Sequence, residues 1–426
     1  MQKCVRNLGL VAASLMVIVA PLHAQRGQCA PDNGGISLPA GFCATVFADS
    51  LPGPRHLRVH ANGDVYVSLL GRGGRTGAAA VPGGVIILRD ANRDGKADTQ
   101  LDVVRGVAMY EVILFDNHIY VDRGMSVVRY PIKAGVAAPT GPGDTIVSGL
   151  PPGGHSSKTF TIGPDGSLYV NIGSATNSCA IRGDAKHGTD PCIELATRAG
   201  IWRFDARKPG QKQSDGVRFV SGVRNAIGMT IGPDNDVWAM QHGRDGLQSF
   251  PEYFDSKYGA ENPGEELMHM KRSDDYGWPY CYYSTFENKL VDAPEYGGDG
   301  KKTDRCASKT APVAAYPGHW APNDLVFYTG TSFPAKYRGG VFIAFHGSWN
   351  RAPEPQAGYK VVFQPMRDGK PSGAYETFAD RFSPNSGGAG PNRRPGGLAV
   401  GRDGALYIAD DATGRIWKVT YNGRRN

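Results

Sequence analysis

A histidine and a set of arginines stand at corresponding points along this chain, beside short apolar segments. His155 follows two glycines and precedes one such segment. Arg224 with Asn225, and later Arg394, also precede apolar segments, whereas Arg351 follows one. Guanidinium groups bind carboxylates through paired hydrogen bonds, so three arginines that converge would suit an anion with several carboxylates. Any single arginine is more simply interpreted as a solvated loop residue. The prediction of an anion site therefore depends on all three arginines together.

The elements that must position these residues are indicated by a repeat. A turn followed by a short strand with a central aromatic residue occurs six times, as in Pro164-Asp165-Gly166-Ser167-Leu168-Tyr169-Val170. The aromatic positions are Tyr66, Tyr120, Tyr169, Trp238, Phe342 and Tyr407. Such a unit is typical of one blade of a β-propeller, in which corresponding points of successive blades gather around the axis. The sequence therefore predicts an all-β fold, a six-bladed β-propeller of four-stranded antiparallel blades, with a β-sandwich as the alternative.

The predicted domain organisation is a secretory signal peptide, residues 1–24, followed by one propeller domain, residues 25–426. Lys3 and Arg6 precede an apolar segment too short to span a membrane, and small residues follow it. No later stretch is long and apolar enough to cross a bilayer, so we expect a periplasmic or secreted protein that is not membrane-spanning. We expect an insertion around residues 250–316. A strand near residues 42–47 is expected to close the ring by pairing with residues 415–421.

The cysteines indicate disulfide bonds. Six of the seven lie beyond the signal peptide, and an even number in an exported chain favours disulfides, although six cysteines allow fifteen connectivities. They form three pairs of near neighbours, which predicts bonds 29–43, 179–192 and 281–306. A metal site is the alternative, but the chain has no Cys-x-x-Cys and hence no attachment motif for c-type haem. The net charge of +7 without a basic, aromatic-rich run argues against nucleic acid as a partner.

Five motifs give the chain a resemblance to a known family. They are Gly154-His155-Ser156-Ser157-Lys158, Arg224-Asn225, His242-Gly243-Arg244-Asp245, Tyr276-Gly277-Trp278-Pro279 and Gly347-Ser348-Trp349-Asn350-Arg351. In this order they resemble the soluble quinoprotein sugar dehydrogenases, and most closely the L-sorbosone dehydrogenase-like branch. The resemblance covers nearly the whole chain beyond the signal peptide. It implies a six-bladed propeller that holds pyrroloquinoline quinone (PQQ) and Ca²⁺ on its axis.

The resemblance also implies roles for the candidate residues. His155 would be the general base that removes the substrate hydroxyl proton, since a neutral imidazole with a pKa of about 6.5 suits that task. Arg224 would stabilise negative charge on the reduced quinone, and Asn225 would hold one of its oxygens. Trp349 would stack near the cofactor or contact the substrate, with a buried packing role as the alternative. The residues implied to bind the cofactor carboxylates are Arg351 and Arg394.

The implied metal ligands are backbone carbonyls and a pair of acidic side chains. The carbonyls of Gly243 and Arg244 would ligate a Ca²⁺ that polarises the quinone, and Glu265 with Glu266 would form a second Ca²⁺ site. Residues 90–98 place oxygen-bearing side chains at alternate positions around a glycine. Because Leu101 stands where a calcium loop needs glutamate, we predict an ordinary hairpin turn there.

Two positions depart from the glucose-oxidising branch of the family. Ser174 replaces an aspartate near the substrate, and Ile227 replaces a glutamine, which puts glucose itself in doubt. The expected function is that of an exported quinoprotein dehydrogenase that oxidises a sugar, sugar aldehyde or related alcohol. Its electrons would pass to a separate acceptor, a cytochrome or a quinone. The alternatives are a calcium-dependent propeller hydrolase, such as a lactonase, and a non-catalytic sugar-binding propeller.

Overall fold

The computed structural model describes residues 29–73, 80–132, 139, 141–388 and 390–423. Six four-stranded antiparallel sheets are arranged as the blades of a β-propeller, so the predicted fold class is confirmed. The predicted signal peptide, residues 1–24, lies outside the described residues. Within the described part of the chain, no helix has both the length and the apolar character needed to cross a membrane.

The blades follow one another along the chain, and the strands of each run in order from the innermost to the outermost. Blade one is Pro54–Val59, Val65–Leu69, Gly84–Arg89 and Thr99–Arg105, and blade two is Val112–Phe115, His118–Asp122, Val127–Pro131 and Asp144–Ser148. Blade three is Phe160–Ile162, Ser167–Ile172, Gly200–Asp205 and Val217–Ser221, and blade four is Ala226–Ile231, Val237–Gln241, Glu265–Met270 and Ala314–Tyr316. Blade five is Pro322–Phe327, Val341–Phe345, Lys360–Gln364 and Glu376–Ala379, and blade six is Pro395–Val400, Leu406–Asp410, Arg415–Tyr421 and Phe42–Ala48.

Blade six closes the ring as predicted. Its outermost strand comes from the beginning of the described chain and runs antiparallel to Arg415–Tyr421, with Phe42 opposite Tyr421. The three predicted disulfide bonds are also present. The first of them, Cys29–Cys43, ties the segment before this closing strand to the strand itself.

The aromatic residues of the repeat form the cores between neighbouring blades. Trp238 of blade four packs with Leu325 and Val341 of blade five, and Tyr66 of blade one packs with Val112 of blade two. The repeat aromatics are almost completely buried, except for the partly buried Tyr169. Burying a large apolar side chain contributes about 1.5–3 kcal/mol, so each marker stabilises the contact between two blades.

A second recurring contact fixes the segments that enter the blades. A polar side chain at the end of a blade's second strand accepts a hydrogen bond from the backbone N–H of a residue before or within its first strand. The pairs are His56 N to Ser68 Oγ at 2.9 Å, Glu111 N to Asp122 Oδ1 at 2.7 Å, Arg224 N to Gln241 Oε1 at 2.6 Å and Arg394 N to Asp410 Oδ1 at 2.9 Å. Two predicted site residues, Arg224 and Arg394, are thereby held at equivalent places.

The expected insertion differs in detail from the structure. The range 250–316 contains the third strand of blade four, Glu265–Met270, and ends with its fourth strand. The additional residues therefore form two excursions, one before and one after that strand. The third strand was hidden in the sequence because it begins with two acidic residues that are buried in the structure.

Short elements complete the structure. The one α-helix of the described residues is Ser256–Glu261, in the first excursion. The short hairpins are Ala180–Ile181 with Asp184–Gly188, Cys281–Ser284 with Lys289–Asp292, and Met366–Arg367 with Lys370–Pro371, and Gln211–Lys212 runs parallel to the outer strand of blade two. The 3₁₀ turns are Ile193–Ala196, Gln213–Asp215, Leu247–Ser249, Pro294–Tyr296, Ala335–Tyr337 and Pro384–Ser386.

Candidate active site on one face of the propeller

The candidate site lies on the face where first strands begin and second strands end. Antiparallel pairing puts these two points side by side, as with Ala226 opposite Gln241 in blade four and Pro395 opposite Asp410 in blade six. The segments containing His155, Arg224 and Arg394 all meet this face. The fold thus places three of the predicted residues on one surface around the axis.

His155 is half-buried and has a well-defined environment. Its Nδ1 lies 2.9 Å from Ser174 Oγ and 3.1 Å from the Ser174 carbonyl oxygen. Burial lowers the pKa of His155 to about 4, and the positive charge of Arg224 adds to the effect. The imidazole is therefore neutral at physiological pH, which is the state a general base requires.

Two glycines allow this close approach. Gly154 has a φ of +63°, and a Cβ there would lie 2.5 Å from Ser174 O. A Cβ on Gly173 would lie 2.6 Å from the Cβ of His155. Any larger residue at either position would displace His155 from Ser174, so the Gly-His pair belongs to the geometry of the site.

Arg224 is buried and joins the edges of blades three and four. Its guanidinium donates to the Gly243 carbonyl at 2.9 Å, to Asp245 Oδ2 at 2.9 Å and to Asn177 Oδ1 at 3.0 Å. Its backbone carbonyl accepts from Ser174 N at 2.8 Å, so Arg224 also holds the segment that contacts His155. The buried Asn225 next to it lies with its Oδ1 3.5 Å from Asn171 Nδ2.

Asp245 and Asn177 are site residues that the sequence did not single out. The Asp245 carboxylate accepts from both Arg224 and the side-chain amide of Asn350. Burial opposes ionisation of Asp245, but its contact with His319 and the charge of Arg224 hold its pKa well below the ordinary value. Asp245 stands in the His242-Gly243-Arg244-Asp245 motif. Its place directly after the candidate residue Arg244 is the sequence feature that could have identified it.

A second charged group lies where blades five, six and one meet. Arg394 donates through Nε to the His346 carbonyl at 2.9 Å, and His346 Nε2 lies 2.7 Å from Asp411 Oδ1. Arg55 donates to the other oxygen of Asp411 and is buried. Arg55 was missed, although it stands near the start of a first strand as Arg224 and Arg394 do. Its Nε is buried and has no partner among the described residues.

Arg351 and Trp349 occupy different environments. The Arg351 guanidinium is buried and donates to the carbonyls of Ala260, Gly318 and Pro355 and to the carboxylate of Glu261. It therefore fixes the α-helix Ser256–Glu261 to blade five, which favours a structural role. Trp349 is 74% exposed, so it is not a packing residue, and its neighbour Asn350 contacts Asp245.

Several of the predicted metal ligands already have protein partners. The Gly243 carbonyl accepts from Arg224, whereas the buried ion pair of Arg244 with Glu295 uses the side chain and leaves its carbonyl aside. Both oxygens of Glu265 accept backbone N–H groups, from Gly243 and Ala321, at 3.0 Å.

Glu266 differs from Glu265 in its hydrogen bonds. It accepts from Gln241 at 3.2 Å through one oxygen, while its buried Oε2 has no partner among the described residues. Burial raises the pKa of Glu266 to about 8 and that of Glu265 to about 7. A small cavity beside Glu266 is also lined by Arg224 and Arg244, which are paired with Asp245 and Glu295.

The 90–98 loop lies away from this face. It connects the third and fourth strands of blade one, and its carboxylates accept N–H groups of the same loop, such as Gly95 N to Asp90 Oδ2 at 2.9 Å. This is the arrangement of a hairpin connection, as predicted from the sequence.

Comparison with known proteins identifies the family. A family model described as TrAA12-like matches residues 36–422. The chain belongs to the TrAA12-like family. This confirms the resemblance to soluble PQQ-dependent sugar dehydrogenases that the motifs indicated. The finer assignment to a sorbosone dehydrogenase-like branch stays a prediction.

Two curated proteins are similar to this chain in sequence. The chain is 27% identical over 277 residues to a pyrroloquinoline quinone-dependent pyranose dehydrogenase of Coprinopsis cinerea, covering 54% of this chain and 36% of the relative. An uncharacterized protein of Borreliella burgdorferi is 30% identical over 258 residues, covering 59% of this chain and 60% of that protein. The chain thus spans less than two thirds of the length of either curated relative.

Solved structures share the fold. The holo PQQ domain of the Coprinopsis cinerea pyranose dehydrogenase has a TM-score of 0.72 and 21% identity, covering 90% of this chain and 97% of that one. A calcium structure of a Trichoderma reesei carbohydrate-active enzyme of family AA12 has a TM-score of 0.71 and 17% identity, covering 91% and 97%. These structures show that the propeller of this TrAA12-like chain is the fold of the family.

Proposed function

We propose that this chain is a PQQ-dependent dehydrogenase that oxidises a sugar or sugar-aldehyde substrate and passes the electrons to a separate acceptor, a cytochrome or a quinone. The observation that carries the proposal is the convergence of a neutral histidine with buried guanidinium groups on one face of the propeller. The names of the relatives from Coprinopsis cinerea support the same chemistry. We also propose that the chain acts in the periplasm or outside the cell.

The charges of the site fit an anionic quinone. Arg55, Arg224 and Arg394 bring three positive charges, against two from the carboxylates of Asp245 and Asp411. The buried Nε of Arg55 has no acceptor within the part of the chain that the structure describes, and a buried polar group is costly when it is unpaired. A tricarboxylate such as PQQ supplies such acceptors, and guanidinium forks match carboxylates in geometry.

The reaction needs one proton acceptor from the protein. His155 has its Nδ1 directed at a carbonyl oxygen, which only accepts, so Nδ1 carries the proton and Nε2 is the free base. Nε2 is proposed to take the proton of the substrate hydroxyl. When bound, the quinone supplies the hydride acceptor for the adjacent carbon. Arg224, whose charge acts on His155, would stabilise negative charge on a quinone bound beside that histidine.

The structure offers less support for Ca²⁺ as a second cofactor. The Gly243 carbonyl accepts from Arg224 and both oxygens of Glu265 accept backbone N–H groups, whereas Glu266 Oε2 has no partner among the described residues. Most of these oxygens are therefore already used by the protein, and no step of the proposed reaction is assigned to a calcium ion. Because a relative has a calcium structure, Ca²⁺ is a separate arm of the test.

The decisive experiment is reconstitution. The purified chain is titrated with PQQ, with Ca²⁺ or with EGTA, and binding is followed by quinone absorbance. A panel of aldoses and sugar aldehydes is then tested for reduction of a redox dye. We expect PQQ binding and dye reduction with at least one sugar. Absence of PQQ binding in both arms would refute the proposal.

Variants separate binding from catalysis. His155→Gln is expected to abolish dye reduction and to leave PQQ affinity unchanged, whereas Arg224→Ala is expected to weaken PQQ binding about 10–100-fold, the effect of losing a charged hydrogen bond. His118→Gln is the matched control, because His118 lies at the opposite end of a blade hairpin. Lactone hydrolysis without quinone would favour a hydrolase instead, and sugar binding without turnover would favour a binding protein.

A further inference from the structure

The hydrogen bonds between His155 and Ser174 also determine the orientation of the imidazole ring. Ser174 Oγ donates to the Thr176 carbonyl at 2.7 Å, so its proton is already engaged. The hydroxyl is therefore an acceptor toward His155, whose Nδ1 lies 2.9 Å away. The ring donates from Nδ1 to the hydroxyl and carbonyl of one residue, and this fixes both its tautomer and its plane.

Ser174 itself is held on several sides. It is fully buried, and its backbone N–H donates to the Arg224 carbonyl at 2.8 Å. The next residues are fixed by Glu194, whose carboxylate accepts from the N–H groups of Ala175 and Thr176. Such a rigid support is what keeps a catalytic side chain in its productive geometry.

We propose that Ser174 is the positioning residue of His155, holding the imidazole as the Nδ1–H tautomer with Nε2 directed at the substrate hydroxyl. The proposal deepens the proposed function and rests on it for the identity of the reaction. The bond chemistry is unchanged: the hydroxyl O–H breaks, and its proton passes to Nε2. Ser174 takes no proton and touches no reacting atom.

The serine also determines the charge around the base. The charged and titratable groups that face His155 are Arg224, His242 and Asp245 of blade four and Arg198 of the loop after the second disulfide-linked segment. Two of these are cations, and the serine adds no negative charge. An aspartate at this position would bring a carboxylate against Nδ1 and favour the imidazolium.

Two variants and a control test the proposal. Ser174→Ala is expected to lower kcat/KM about 10–100-fold, the usual effect of losing an outer hydrogen-bond partner, with PQQ affinity unchanged. Ser174→Asp keeps an acceptor for Nδ1–H and is expected to move the acid limb of the kcat/KM profile upward by about 1–3 pH units. Ser167→Ala, at the far end of the strand Ser167–Ile172 that precedes Ser174, is the control and should leave both the rate and its pH profile unchanged.

A spectroscopic readout keeps this test separate from that of the dehydrogenase activity. In the protein labelled with ¹⁵N-histidine, the His155 ring is expected to show a protonated Nδ1 in the wild type, an Nδ1–H with a weaker hydrogen bond in Ser174→Ala, where only the carbonyl acceptor remains, and a higher pKa in Ser174→Asp. If no sugar is oxidised but these shifts appear, the proposed function fails and the positioning role stands. If Ser174→Ala keeps the wild-type Nδ1–H chemical shift and rate, the positioning role is refuted.

Discussion

A buried charge network near the axis of the propeller gives the sharpest prediction for stability. Glu111, which precedes the first strand of blade two, is fully buried and accepts from Arg58 at 3.1 Å. Its other oxygen lies 2.9 Å from Nδ1 of His56, whose Nε2 lies 2.9 Å from the Asn323 carbonyl. A carbonyl and a carboxylate both accept, so His56 donates from both nitrogens and is an imidazolium. The network connects blades one, two and five.

The perturbation is Glu111→Gln, which keeps the size of the side chain and removes its charge. Breaking a buried ion pair by removing one partner costs about 3–5 kcal/mol. Burial opposes protonation of His56, but the charges of Glu111 and Asp324 raise its pKa above the ordinary value. The stabilisation is therefore complete below about pH 6.5 and is lost as the pH rises through the folded-state pKa. The cost of the substitution should be largest under mildly acidic conditions.

Urea unfolding of wild type and variant at about pH 5.5 and about pH 9 measures this difference. We expect a loss of about 3–5 kcal/mol at the lower pH and a smaller loss at the higher pH. Glu376→Gln is the matched control, because Glu376 pairs with Lys336 on the surface and such pairs contribute less than about 1 kcal/mol. A loss that is equal at both pH values, or no larger than that of the control, would refute the reasoning.

Three further predictions concern the site. Replacing Cys179 and Cys192 by alanine removes the bond beside the segment that holds His155, so we expect a lower kcat/KM and a destabilisation of about 3 kcal/mol, measured by steady-state kinetics and urea unfolding. Asp245→Asn removes a charge that raises the pKa of His155, so the acid limb of the activity profile should move to lower pH. Trp349→Ala should raise KM for the sugar about tenfold without a change in the urea midpoint, because the exposed ring makes little packing contact.

The fold could be predicted from the sequence because its repeat carries both local and tertiary information. The turn residues determine where a hairpin reverses, and the aromatic residue after each turn, such as Trp238, is the one that packs against the next blade. The extent of the insertion could not be predicted in the same way. Its third strand begins with Glu265 and Glu266, and acidic residues give no strand signal unless their buried partners are known.

The arginines show how far the candidate site could be predicted from the sequence. Arg224 and Arg394 could be predicted because a contact that recurs in several blades fixes their backbone, so sequence position determines location. Arg351 was selected by a similar positional argument, but its donors are used by the carbonyls of Ala260, in the first excursion, and Gly318, in the connection between blades four and five, and the repeat encodes neither segment. Arg55 is the opposite case. Its position near the start of a first strand could be read from the sequence, but only the structure shows that its buried Nε has no partner among the described residues and is therefore a candidate for ligand binding. Position within the repeat therefore predicts which arginines reach the face, whereas the partners of their guanidinium groups, such as Asn177 and Asp245 for Arg224, belong to loops that the repeat does not encode.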